Sequence, residues 1–117
     1  TGNNTRDGQS IAVNPKTPKF VFVGTERNGV YKSDDFGTTW LQVISATTKT
    51  YSLAIDNVDP TKVYAGHNSD SLSRTTNGGS SAGWSAGGGV GSNADSKFTA
   101  LAVNPKNPAI VWAGVES

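Results

Sequence analysis

Ile11-Ala-Val-Asn-Pro-Lys-Thr-Pro-Lys-Phe-Val-Phe-Val-Gly24 is written again as Leu53-Ala-Ile-Asp-Asn-Val-Asp-Pro-Thr-Lys-Val-Tyr-Ala-Gly66 and as Leu101-Ala-Val-Asn-Pro-Lys-Asn-Pro-Ala-Ile-Val-Trp-Ala-Gly114. Each copy opens on a short apolar run and turns at Asn or Asp and Pro. It then passes through β-branched and aromatic residues to a glycine, which reads as strand, turn, strand. Prolines at 15, 18, 60, 105 and 108 fall in the turns, where the missing N–H costs no ladder bond.

Outward from these segments the spacing decides the architecture. The copies begin 42 and 48 residues apart, the length of one four-stranded propeller blade, and solenoid helices would show a 3.6-residue apolar period instead. After the first copy, Asn28-Gly29 is a strong turn pair, followed by a third strand at Val30-Tyr31-Lys32-Ser33 and a fourth at Trp40-Leu41-Gln42-Val43-Ile44. The second copy continues through Leu72-Ser73-Arg74-Thr75 and a shorter strand near Trp84, and the third has two strands. The expectation is an all-β chain of ten strands, a partial β-propeller of about two and a half blades within residues 1–117. One blade covers 10–45, a second 50–87, and a half blade 97–117. The Gly-, Ser- and Ala-rich stretch from Ser85 to Lys97 reads as a mobile loop between blades.

Between the third and fourth strands of the first repeat stands Ser33-Asp34-Asp35-Phe36-Gly37-Thr38-Thr39-Trp40. A hairpin this tight turns backbone N–H groups inward, and the Asp35 carboxylate is placed to accept them as in an Asx turn. Gly37 supplies a positive φ without steric cost. Ser33 and Thr39 offer hydroxyls to tie the strand ends, and Trp40 lays apolar surface over the turn. A degenerate copy follows at Thr75, Asn77, Gly79 and Ser81, with Trp84 two residues late. Asn77 accepts through an uncharged amide oxygen, so this second clasp is expected to be weaker.

The first of these stretches matches Ser-x-Asp-x-Gly-x-Thr-Trp at every specified position, and with its repeats the chain resembles the BNR or Asp-box propellers. That family includes sialidases, the sortilin luminal domain, a photosystem assembly factor and xyloglucan-cleaving glycoside hydrolases. Gly8-Gln9-Ser10-Ile11-Ala12-Val13-Asn14-Pro15 and Asn28-Gly29-Val30-Tyr31-Lys32-Ser33 are most similar to phrases of the xyloglucanase type. The resemblance implies a structural role for Ser33, Asp35, Gly37, Thr39, Trp40, Thr75, Asn77, Gly79, Ser81 and Trp84. It also places a catalytic aspartate of the hydrolases directly before the first strand's leucine. Ser10, Ser52 and Ala100 stand there in this chain, and none supplies the carboxyl group that glycoside hydrolysis needs.

Other residues support no strong chemistry. His67 is the single histidine, and with Asp70 but no second imidazole it makes neither a metal site nor a triad; it reads as a loop residue after a strand. Asp34 reads as solvated, and Asp56 and Asp59 as carboxylates that bond their own turn before Pro60, with a calcium ion on such oxygens the lesser alternative because no Gly-spaced acidic loop accompanies them. Glu26 and Arg27 stand at a turn open to a ligand, and Tyr31, Tyr64 and Trp112 offer either sugar-stacking faces or packing between blades, with strand alternation favouring packing. No metal or cofactor is expected.

Ten basic and nine acidic side chains give a formal charge of +1 without runs of either sign, which argues against nucleic acid and against a polybasic membrane patch. No apolar stretch approaches the roughly 20 residues of a membrane-spanning helix. The lack of cysteine removes disulfides and thiolate sites, and the lack of methionine is expected of an excerpt or a processed product. The leading expectation is a non-catalytic piece of a secreted, extracellular propeller that presents loops to a carbohydrate or protein. A second is part of a β-glucan-type glycoside hydrolase with its acids elsewhere. A third is a fragment that assembles with copies of itself, since an isolated piece leaves a blade face and a strand edge open.

Overall fold

The repeated segments fold as three antiparallel β-sheets, seen in a computed structural model that describes residues 10–44, 49–68, 72–80, 83–86 and 97–116. The first sheet contains β1 (Ser10–Val13), β2 (Val21–Gly24), β3 (Val30–Ser33) and β4 (Leu41–Ile44). The second contains β5 (Thr50–Ile55), β6 (Val63–His67), β7 (Leu72–Thr75) and β8 (Trp84–Ala86), and the third β9 (Lys97–Val103) and β10 (Val111–Glu116). Within each sheet the strands lie in chain order, so every connection is a local hairpin and each sheet is a simple meander. β1 lies against β5 and β5 against β9, so the leading strands of successive sheets stand side by side as in adjoining propeller blades.

Strand edges differ from expectation in several places. Trp40 precedes β4 rather than opening it, while Ser85 and Ala86 extend β8 and Lys97 opens β9. The first follows Thr39, whose N–H is held in the turn by the Asp35 carboxylate, and the other three are recruited by ladder pairing to Arg74, Ser73 and Glu116. Residues 87–96 of the expected inter-blade loop, together with Asp70 and Ser81, lie outside the described residues.

The three β1–β2-type turns are built alike. Asn14 Oδ1 accepts the N–H groups of Lys16 and Thr17, Asp56 Oδ1 those of Val58 and Asp59, and Asn104 Oδ1 those of Lys106 and Asn107, all at 2.8–3.1 Å. The same cap residues donate their own N–H to the carbonyls of Phe20, Lys62 and Ile110. An Asx oxygen thus satisfies two turn amides in each repeat, which explains why only Asn or Asp occupies the position.

The core sits at the seam between the first two blades. Phe22, Val30 and Val43 from the first meet Val63 and Ala65 from the second, with Ile44, Leu53, Ile55 and Trp84 packed around them. Phe22 is 2% exposed and meets Trp84 edge-on, with ring centroids 6.4 Å apart at 81°. Burying such a ring stabilises the fold by about 1.5–3 kcal/mol. The seam is also stitched by the backbone, because Thr50 donates its N–H to the Thr25 carbonyl at 2.8 Å.

Candidate functional site

The 33–40 turn closes through one carboxylate and two hydroxyls. Asp35 Oδ1 accepts the Thr39 N–H at 2.8 Å and Oδ2 the Thr39 hydroxyl at 2.6 Å. Ser33 donates its hydroxyl to Asp35 Oδ1 at 2.7 Å and its oxygen accepts the N–H groups of Gly37 and Asp35 at 2.8 and 3.2 Å. These bonds stabilise the charged form, the Thr39 hydroxyl most, then the Thr39 N–H and the Ser33 hydroxyl, and hold the Asp35 carboxyl at about 2 instead of 3.8. A carboxyl so acidic stays ionised at neutral pH and cannot serve there as a general acid. Trp40 lies over Gly37, although it remains 39% exposed.

The second turn repeats this with fewer bonds among the described residues. Thr75 donates its hydroxyl to Asn77 Oδ1 at 2.6 Å and accepts the Asn77 N–H at 3.3 Å, and the Trp84 indole donates to the Gly79 carbonyl at 3.3 Å. Gly79, at φ +84°, is seated on the Phe22 ring, where a Cβ would stand 2.5 Å from the nearest ring carbon. Each turn is also anchored to the preceding hairpin, since Phe36 donates its N–H to the Lys19 carbonyl and Gly78 to the Thr61 carbonyl. Phe36 adopts φ +62°, a left-handed conformation that bulky residues avoid, at the position where the second repeat has Gly78.

Beside these turns, at the seam of the first two blades, opens a groove of about 380 Å³. Its walls include Lys16, Phe20, Phe22, Lys32, Thr61 and Asn77. The Lys32 ammonium lies 4.7 Å from the centre of the Phe20 ring and 3.3 Å from Asp34 Oδ1, so Asp34 is an ion-pair partner, still 71% exposed, rather than merely solvated. Lys16 crosses the seam and donates Nζ–H to the Val58 carbonyl at 2.6 Å. Two cations beside aromatic surface favour a ligand with polar or anionic edges and an apolar face. Among the described residues, no histidine, aspartate or glutamate lines the groove. Sequence reasoning missed it because its members stand on different hairpins and carry no local pattern.

The remaining candidates are scattered. His67 is the last residue of β6, not a loop residue, because Thr50 pairs with it across a bulge and draws it into the ladder. It is 1% exposed, with Nδ1 at 3.0 Å from the Thr50 hydroxyl and Nε2 at 2.8 Å from the Ser73 hydroxyl. Burial lowers its pKa to about 4. Asp56 is buried in its own turn, and Asp59 accepts from Thr61, whose hydroxyl lowers the carboxyl's pKa. Ser10, Ser52 and Ala100 fall on the leading strands β1, β5 and β9. Tyr31 and Tyr64 are half-buried, Arg27 is exposed, Glu26 is half-buried, and Trp112 is 63% exposed. Among the described residues, no group of three His, Asp or Glu side chains is placed to hold a metal ion.

Neither a protein-family model nor a curated protein sequence matches the chain. Solved structures do. An ancestral GH74 enzyme superposes with a TM-score of 0.76 at 17% identity over 97% of this chain, and the GH74 xyloglucanase of Xanthomonas campestris with a TM-score of 0.68 at 17% identity over 90%. The chain spans 17% of the length of each. At this identity the likeness concerns the fold, and with the three meander sheets it makes the chain an all-β partial propeller.

Proposed function

We propose that this chain is a non-catalytic part of an extracellular Asp-box propeller, a rigid blade scaffold whose loops and seam groove bind a carbohydrate or a protein. The observation that carries the reading is the state of three aspartates among the described residues. Asp35, Asp56 and Asp59 are all engaged in closing their own turns, and the positions that resemblance assigns to a catalytic aspartate hold Ser10, Ser52 and Ala100. Hydrolysis of a glycosidic bond needs two carboxyl groups facing one substrate, one of them able to hold a proton. The groove with Lys16, Lys32 and Phe20 supports binding chemistry in the same region.

The test pairs calorimetric titration of the chain against xyloglucan oligosaccharides and other soluble β-glucans with a reducing-sugar assay on the same mixtures. Saturable binding without product is expected. Product above the blank overturns the non-catalytic reading, and absence of binding to every glucan removes the carbohydrate branch. The superposition on GH74 enzymes favours a second reading, in which the chain forms part of a β-glucan-cleaving propeller enzyme whose acids lie outside these residues.

A further inference from the structure

The pair Asn-Gly occurs twice, at Asn28-Gly29 and Asn77-Gly78, and the fold holds the two differently. An asparagine before glycine is open to attack by the next backbone nitrogen, because glycine has no Cβ to shield it. Asn28-Gly29 lies in the turn between β2 and β3, with Gly29 at φ +73°. The backbone there is held from both sides. Thr25 donates its N–H and its hydroxyl to the Gly29 carbonyl at 2.9 and 2.7 Å, and Asn28 donates its N–H to the Thr25 hydroxyl at 2.9 Å. The Gln42 amide donates to the Asn28 carbonyl at 2.8 Å. The two groups that would react with each other are not held. Among the described residues, neither the Asn28 side-chain amide nor the Gly29 N–H makes a hydrogen bond.

Asn77-Gly78 has the opposite arrangement. Gly78 donates its N–H to the Thr61 carbonyl at 2.9 Å, and Asn77 Oδ1 accepts the Thr75 hydroxyl at 2.6 Å. The Asn77 amide is also wedged against Gly83, where a Cβ would overlap it. Asn77 is nonetheless the more exposed of the two, since Asn28 is half-buried. Solvent access and hydrogen bonding therefore predict opposite orders of reactivity. The repeat adds a second contrast. Asn77 corresponds to Asp35 of the first clasp, whereas Asn28 corresponds to Asp70, so the 25–29 turn has in its own copy the residue that loss of the amide would produce.

We propose that Asn28 is a self-modification site, which loses its amide in the folded protein while Asn77 is protected. The Gly29 nitrogen gives its proton to solvent and bonds to Cγ of Asn28, the side-chain nitrogen leaves as ammonia, and a succinimide ring results. Water then opens the ring at one carbonyl or the other, yielding aspartate or isoaspartate. Water is the only co-reactant. Either product places a new negative charge next to Glu26 and Arg27 at the turn, and isoaspartate also routes the main chain through an added carbon. Thr25 closes this same turn, and its carbonyl accepts the Thr50 N–H at 2.8 Å across the seam. The lengthened product therefore loosens the stitch between the first two blades.

Peptide mapping by mass spectrometry tests it, on the folded 117-residue chain aged in mildly alkaline buffer, with a parallel incubation in concentrated urea and an unaged digest as the blank. In the folded chain Asn28 should convert roughly tenfold faster than Asn77, the factor for breaking one hydrogen bond of ordinary net strength before attack. In urea, where the Thr61 and Thr75 bonds are gone, the two rates should converge. Amide exchange at Thr50 should be faster in the isoaspartate fraction than in the unconverted protein. Equal rates in the folded chain, or conversion of Asn77 ahead of Asn28, would show that exposure governs and overturn the proposal. An Asn28 that converts in urea but stays intact in the folded chain overturns it as well. Exchange at Thr50 that is unchanged by conversion removes the link from this turn to the seam.

Discussion

Acidification should destabilise this protein through His67. The imidazole is 1% exposed between the Thr50 and Ser73 hydroxyls, and burial lowers its pKa from 6.5 to about 4. The unfolded chain therefore takes up a proton near pH 6.5 that the folded chain refuses until near pH 4. Stability from this group is complete above 6.5 and is lost as pH falls between the two values. At about 1.4 kcal/mol per pH unit the loss reaches roughly 2 kcal/mol at pH 5 and roughly 3 kcal/mol at pH 4. Carboxylates begin to titrate near the lower limit, so pH 7 to 5 is the informative window. Urea unfolding followed by tryptophan fluorescence should be measured across it for the wild type and for His67→Asn, whose amide cannot ionise. The wild type should lose about 2 kcal/mol more than the variant between pH 7 and 5. Parallel pH profiles, or an imidazole resonance that titrates near 6.5 in the folded protein, would refute the reasoning.

Three further outcomes follow from the turns. Gly79→Ala forces a Cβ against the Phe22 ring at φ +84° and should cost at least about 2 kcal/mol; Gly78→Ala, with φ +81° and no neighbour within 4 Å, should cost only about 1 kcal/mol, and equal losses in thermal melts would contradict the packing. Phe36→Gly relieves a left-handed phenylalanine that is 73% exposed and should raise stability by up to about 1 kcal/mol in urea unfolding, a clear loss being evidence that the ring has a packing role. The Asp35 carboxyl should titrate near 2 by carbon NMR, so its contribution is present above its ordinary 3.8 and is lost as pH falls towards 2; a midpoint at 3.8 would mean that the clasp is open in solution.

Sequence and structure agree where the chain repeats itself. Asn14, Asp56 and Asn104 were readable as turn caps because three copies of one phrase place an Asx residue before the same turn, and the turn chemistry is local. The strand order followed for the same reason, since each sheet is a meander of hairpins. What could not be read depends on contacts between hairpins. Lys16 reaches Val58 across 42 residues, and Lys32 meets Phe20 across a sheet, so the groove has no sequence signature. His67 was placed on a loop because a bulge between Thr50 and Ser52 lengthens the ladder by pairing that no local pattern announces. The strain at Phe36 did leave a trace, for its counterpart in the second repeat is Gly78.

The first two repeats pack face to face as successive blades, with Phe22 of one seated on the turn of the other. Proton NMR tests it most directly, through the contact between the Phe22 ring and the Gly79 α-protons. Strong cross-peaks between them, with the Gly79 α-protons displaced by the ring current and further cross-peaks from Phe22 to the Trp84 indole, are the predicted result. A folded protein in which Phe22 shows no cross-peak to Gly79 or Trp84 would contradict the blade arrangement.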